Sequence, residues 1–298
     1  MAVSTKQKKK TGRGAKFIKL IIFLACALCM VMAAKKFIEL RSEERIDFSF
    51  QSNTIAPQIS YAPANFGSTD PAIAEALAVL ADEDSRVRDV IANIDEYPEP
   101  LLALLAKNPD AREFVLDYPQ HRNDKKAGKL NDSEKSGGIP LLLQWDKRWG
   151  YTQYGSGPLG ITGCGPTCLS MVLAGLSGDG EASPAAVAAF SEKNGYYVEG
   201  SGSSWNLMSE GAAALGLTVA SVPLWEDSMV AELNAGHPII ANVGAGDFTD
   251  SGHFIVIRGY ENGMFLVNDP NSPSRSNEGW YYTTLEKQIK SLWSYSLS

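Results

Sequence analysis

The sequence predicts an α+β fold on three observations. Helical periodicity dominates up to about residue 215, strand-like apolar runs crowd the chain after it, and the connections between most of those runs are short or hairpin-like. Short connections favour hairpins, so the sheet is expected to be largely antiparallel. The 298 residues are 44% hydrophobic, a globular composition that fills one large domain or two modest ones. Charge is unevenly spread: nine of the 27 basic residues lie in the first 36 positions, which hold no acid, so the rest carries 18 basic against 34 acidic residues. Phosphate binding needs a basic face, so nucleic acid is excluded as a partner of this acidic body.

Taken in order, residues 1–16 are a basic tail and residues 17–34 an apolar run from Phe17 to Ala34 interrupted only by Lys19. As a helix this run is about 27 Å long, close to the hydrocarbon thickness if Lys19 snorkels toward the headgroups. A single transmembrane anchor is predicted. Val31-Met32-Ala33-Ala34 is a poor cleavage site, and Lys35-Lys36 reads as a stop. The stronger positive cluster precedes the span, which keeps the N-terminus cytoplasmic and places the remainder outside the cell. Residues 35–70 lack sustained periodicity and read as a juxtamembrane linker.

Residues 71–119 turn helical, with segments Pro71 to Ala81, Ser85 to Ile94, Pro98 to Lys107 and Asp110 to Leu116, each entered or left by Asp, Ser, Asn or Pro. Their Ala, Leu, Ile and Val positions supply the core of a small bundle. The polar stretch 120–138, ending in Gly137-Gly138, reads as a linker and domain boundary. In the domain 139–298, helices are expected at about 164–175, 184–194, 204–215 and 227–235. Strands are expected over Leu217 to Val222, Ile239 to Val243, Phe254 to Arg258 and Met264 to Asn268.

The chemistry starts at Cys164, in Gly163-Cys164-Gly165-Pro166-Thr167, just ahead of an apolar helical run. The glycines permit a tight reversal and Pro166 presets the first helical turn, so the sulfur meets a helix N-terminus. Unpaired N–H groups and the positive end of the macrodipole stabilise a thiolate there. Cys164 and Cys168 are four apart on one helix face, where a bridge closes almost no loop, so two free thiols are expected. With one histidine they do not complete a four-ligand zinc set, and no cofactor is called for.

A cysteine nucleophile needs a base, and the chain has three histidines. His121 falls in the linker and His237 in a helix-to-strand turn, where a solvated or capping role is the simpler reading. His253 begins a strand after the segment Gly246 to Gly252, a place where a functional imidazole can be exposed yet rigidly aimed. That strand turns at Glu261-Asn262-Gly263 and returns to Asn268-Asp269-Pro270, bringing Asn268 and Asp269 within a residue or two of the rung of His253. Which of the two faces the imidazole depends on register, because a one-residue slip exchanges the faces.

The Gly163-Cys164-Gly165-Pro166-Thr167 box, Gly252-His253-Phe254 and Asn268-Asp269-Pro270, in that order, resemble the papain-like cysteine peptidases related to bacteriocin-leader peptidases, peptidase family thirty-nine, in their exported branch. The resemblance covers roughly Ile139 to the C-terminus. It implies a papain-like fold, with the catalytic cysteine helix packed on a mostly antiparallel sheet. It further implies Cys164 as nucleophile, His253 as base, Asp269 as the residue orienting the imidazole, and Gln144 as the oxyanion-hole side chain. Gln144 stands twenty residues before Cys164 rather than a few, so Tyr151 to Thr162 must fold back to place it. The expected function is a membrane-anchored extracytoplasmic cysteine peptidase, with a peptide or protein outside the cell, cell-wall peptide included, as partner. A transferase with the same thioester, or a non-catalytic peptide or cell-wall binding module on the same fold, are the alternatives.

Overall fold

The computed structural model describes residues 66–124 and 127–298, all within one compact unit. The basic tail, the expected span at 17–34 and the linker up to residue 65 lie outside the described residues. Among the described residues no helix is long and apolar enough to cross a membrane.

The N-terminal part is helical: α1 (Pro71–Glu83), α2 (Ser85–Ala92), α3 (Glu99–Lys107), α4 (Arg112–Leu116) and α5 (Tyr118–His121). Asp70 caps α1 by accepting from the N–H groups of Ala72 and Ile73, and Asp84 caps α2 by accepting from Arg86. Leu77, Val87, Leu101, Leu105 and Phe114 form its core. That core does not close on itself. Tyr151, from the segment beyond 138, completes it: its ring stacks on Phe114 at 4.5 Å between centroids, and its hydroxyl donates to the Phe114 carbonyl at 3.0 Å. Burying a ring of this size contributes roughly 2 to 3 kcal/mol, so the helices are fastened to the region beyond them.

In that region a two-residue ladder, β1 (Gln153–Tyr154) with β2 (Gly157–Pro158), leads into a single turn α6 (Leu159–Thr162) and then into α7 (Cys164–Ser177). Helix α8 (Pro184–Lys193) packs beside α7, and a second small ladder joins β3 (Tyr197–Val198) to β4 (Gly202–Ser203). The rest comprises α9 (Glu210–Ala214), β5 (Leu217–Ser221), α10 (Glu226–Asn234), β6 (Ile239–Val243), β7 (His253–Glu261), β8 (Met264–Asn268), α11 (Pro273–Ser276), β9 (Gly279–Trp280), α12 (Tyr282–Leu285) and β10 (Ile289–Leu297). The expected helix over 204–215 is a 3-10 turn, Trp205–Leu207, followed by the short α9.

Strands β5 to β10 form one sheet in the order β5-β10-β6-β7-β8-β9, every pairing antiparallel. One face carries Ile240, Phe254, Val256 and Tyr295 against Cys168, Leu169 and Val172 of α7. The other carries Ile239, Ala241, Ile255 and Ile257 against Met229 of α10. Strand β10, absent from the sequence-based expectation, lies between β5 and β6. Its Ile-Lys-Ser-Leu-Trp-Ser-Tyr-Ser-Leu run hides the apolar alternation because Ser294, a polar type, is buried at 2% exposure.

The hairpin of β7 and β8 turns on Asn262 and Gly263, both at positive φ (52° and 79°), which matches a type I′ turn to the strand twist. Glu261 pairs with Met264 beside the turn, and Gly259 with Leu266. Beyond a bulge at Arg258 the register moves by one, to Ile257 with Val267 and Val256 with Asn268.

Candidate active site

Cys164 is the first residue of α7, with Gly163 as its N-cap. The glycines are there for space rather than for dihedral freedom, a correction to the sequence-based reason. Gly163 has φ −97°, and a Cβ on Gly165 would come within 2.5 Å of the Ser203 hydroxyl oxygen. The thiol is half-buried and free. Burial pushes its pKa up, but a hydrogen bond from His253, the imidazole's charge and the backbone N–H groups of Phe254 and Gly165 outweigh that and hold it below its ordinary value.

His253 opens β7 and is 7% exposed. Its Nε2 lies 2.8 Å from Asp269 Oδ1, which leaves Nδ1 as the nitrogen for the sulfur. Burial alone would lower the imidazole pKa; the charge and hydrogen bond of Asp269, joined by those of Cys164, instead push it up to about 10. Asp269 is fully buried. Burial opposes its ionisation, yet the His253 charge and hydrogen bond, the Arg275 guanidinium and the Asn271 N–H hold it below the usual carboxylate range. The directions of these shifts all favour charge separation, with sulfur and carboxylate tending negative on either side of a positive imidazole.

The two candidates for the orienting position part company at the bulge. Counted from the turn without it, Asn268 would stand across from Ile257 and share the face of His253; with it, Asn268 stands across from Val256 and Asp269 takes that face. Asn268 instead uses its Nδ2 to donate to the Ile139 and Pro140 carbonyls, at 3.1 and 2.9 Å, and accepts from Arg258.

Gln144 is brought to the residues preceding Cys164, as the folding back of 151–162 required. Its backbone N–H donates to Pro270 O at 2.8 Å and its Nε2 to Gly160 O at 2.8 Å, with a longer 3.3 Å contact to Ile161 O. The side chain is 4% exposed, and its Oε1 is buried without a partner.

A cavity of about 440 Å³ holds Cys164, His253, Val198 and Trp205. Trp205 is 48% exposed and stands edge-on to Trp293 at 5.8 Å, so it is a wall of this cavity rather than a core aromatic. Cys168 is fully buried, and its thiol is pushed well up by burial and the neighbouring Cys164 and Asp269 charges. His121 stacks on Tyr151, and His237 pairs with Glu232, both away from the sulfur. Sequence reasoning missed Arg275, whose Nε donates to Asp269 Oδ2 at 2.6 Å, and Ser276, whose Oγ accepts from the Asp269 N–H at 2.9 Å. The only signal was Ser272-Pro273, a helix start directly after Asp269-Pro270, which implies a turn folding α11 back onto the carboxylate.

A half-buried thiol, a buried imidazole and a buried carboxylate, carried by a helix start, a strand start and a hairpin end on a mixed helix and sheet fold, are the arrangement on which the comparisons bear. The chain belongs to the Peptidase_C39 like family, whose match spans residues 138–296. Among solved structures it is similar to the peptidase domain of ComA, a bifunctional ABC transporter of Streptococcus involved in quorum sensing. That likeness has 20% identity and a TM-score of 0.37, and covers 46% of this chain and 93% of that one. It is also similar to a C39-like peptidase from Bacillus anthracis, at 13% identity and a TM-score of 0.35, covering 54% of this chain and 95% of that one. No curated protein matches the chain.

Proposed function

We propose that the chain is a membrane-anchored cysteine peptidase that hydrolyses peptide bonds outside the cell, held to the membrane by residues 17–34. The observation that carries the reading is the continuous line from the Cys164 thiol through the His253 imidazole to the buried Asp269 carboxylate, open to a cavity at the sulfur. In this reading the Cys164 thiolate attacks the scissile carbonyl carbon. The backbone N–H of Cys164, one of the helix N-terminal donors without an intrahelical acceptor, and the Gln144 amide hold the oxyanion. For Gln144 this means that the oxyanion displaces the longer 3.3 Å contact to Ile161 O, while the Gly160 O bond keeps the amide in place. Protonated His253 gives its proton to the leaving amine, and a thioester to Cys164 remains. Water, activated by the now neutral imidazole, hydrolyses it and regenerates the pair.

The test is mass spectrometry of the products formed from a peptide library by the full-length chain, beside its Cys164→Ala variant. Hydrolysis fragments with the first and none with the second are expected. Unchanged peptides with both, together with no labelling of Cys164 by iodoacetamide, favour a binding module; amide exchange in place of hydrolysis favours a transferase. Gln144→Ala is expected to slow turnover by roughly two to three decades without abolishing it, read as kcat on the preferred library peptide.

A further inference from the structure

A second cavity, of about 550 Å³, adjoins the one that holds the thiol, and Ser251 borders both. Its walls come from parts of the chain that the family match does not unite. Ala103, Leu104 and Lys107 of α3 stand on one side, the loop 246–251 on the other, and Gln144 and Arg275 lie between. The helical part is fixed in that position. Asn108 Nδ2 donates to the Asn271 carbonyl at 2.7 Å, just past Asp269, and Lys107 Nζ meets Asp250 Oδ2 at 2.7 Å across the rim. Phe114 lies against Gly160, where a Cβ would come within 2.5 Å of its ring, and the carbonyl of that same glycine holds the Gln144 amide.

We propose that this cavity receives the residues on the leaving-group side of the scissile bond, so that the helices preceding the peptidase domain are one wall of its substrate groove. The inference rests on the peptidase reading above. Once the thioester forms, the acyl part of the substrate is covalently tied to Cys164, so its side chains lie in the cavity that contains the sulfur, against Val198 and Trp205. The carbonyl under attack sits between that sulfur and Gln144, and Gln144 lines the second cavity. A chain continuing past the bond to be cut therefore enters the space under α3. Asn108, Asn271 and Arg275 make the lining polar, which suits main-chain amides and polar side chains better than an apolar anchor. The substrate class that follows is a polypeptide cut internally, extending by several residues on both sides of the scissile bond, and not a chain trimmed by single terminal residues.

The experiment uses the full-length chain and the preferred library peptide in two forms, one complete and one in which an aminocoumarin replaces every residue on the leaving-group side. Ala103→Trp fills the second cavity from the helix, and Lys107→Glu, at an exposed rim position, places a second carboxylate beside Asp250. The ratio of kcat/KM for the complete peptide to that for the coumarin form is expected to fall roughly 10- to 100-fold in Ala103→Trp, chiefly through KM, and in the same direction but less in Lys107→Glu. An unaltered rate of Cys164 labelling by iodoacetamide shows that the variants are folded. An unchanged ratio in both folded variants overturns the inference and leaves the peptidase reading standing. Hydrolysis of neither form by the unmodified chain overturns the peptidase reading and this inference with it.

Discussion

All three histidines of this protein meet a carboxylate at almost the same distance, His121 with Asp124 at 2.9 Å among them, but only one of these pairs is shut away from water. His237 Nδ1 lies 2.9 Å from Glu232 Oε2, and His253 Nε2 lies 2.8 Å from Asp269 Oδ1. The first pair is local, five residues apart at the end of α10, with side chains 36% and 32% exposed. The second is joined across a hairpin, with side chains 8% and 0% exposed. Its carboxylate is held by Arg275 and by the N–H of Asn271, while its imidazole has a thiol on the remaining nitrogen. Bond length is thus uninformative; what separates the pairs is the removal of water and the presence of a third group. Burial makes each charge in the second pair dependent on the others, whereas water screens the first.

The largest contrast is expected in turnover. On the proposed reading His253→Ala removes both the general base and the cation that favours the thiolate, and should lower kcat by roughly 10⁴-fold or more, whereas His237→Ala should leave it within about twofold. Equal losses in the two variants would erase the distinction. A second contrast is read in the pH dependence of iodoacetamide labelling at Cys164. In the unmodified chain the midpoint should lie below the roughly 8.5 of a free cysteine, because the imidazolium favours the thiolate. In His253→Ala the lowering contributions from the imidazole are gone while burial remains, so the midpoint should move up. His237→Ala should not move it. Activity in turn should rise as the thiolate forms and fall as the imidazole loses its proton near its raised pKa of about 10. The smallest effect belongs to the exposed pair in stability: His237→Ala should cost no more than about 1 kcal/mol in urea unfolding.

Much of this site was legible in the sequence, for local reasons. Gly163 to Thr167 followed by an apolar run announces a helix that starts at a cysteine, and Asn262-Gly263 announces the hairpin that brings 268–269 back toward 253. The choice between Asn268 and Asp269 was not legible from the strand pattern, because it turns on a bulge at Arg258, and no property of an arginine in a strand marks it as the unpaired residue. The central place of β10 was obscured by Ser294, which is buried at 2% exposure. The closest tie between the helices and the rest was invisible for another reason. Phe114 and Tyr151 are ordinary core aromatics in their own segments, and only the three-dimensional packing shows that each completes the other. The helical segments themselves followed from their caps, since Asp70 and Asp84 stand where an exposed N–H needs an acceptor.

The unpaired arginine in the β7 strand carries an evolutionary corollary. Whether a neutral amide or a carboxylate stands behind the imidazole is decided here by whether Arg258 bulges out of the ladder or takes a place in it, since both side chains already sit next to one another in the chain. Loss of a single codon at position 258 would therefore remove the bulge yet keep Ile257 across from Val267 and Val256 across from Asn268, leaving Asp269 behind the ring; presenting Asn268 instead would require Arg258 to stay and pair with Val267.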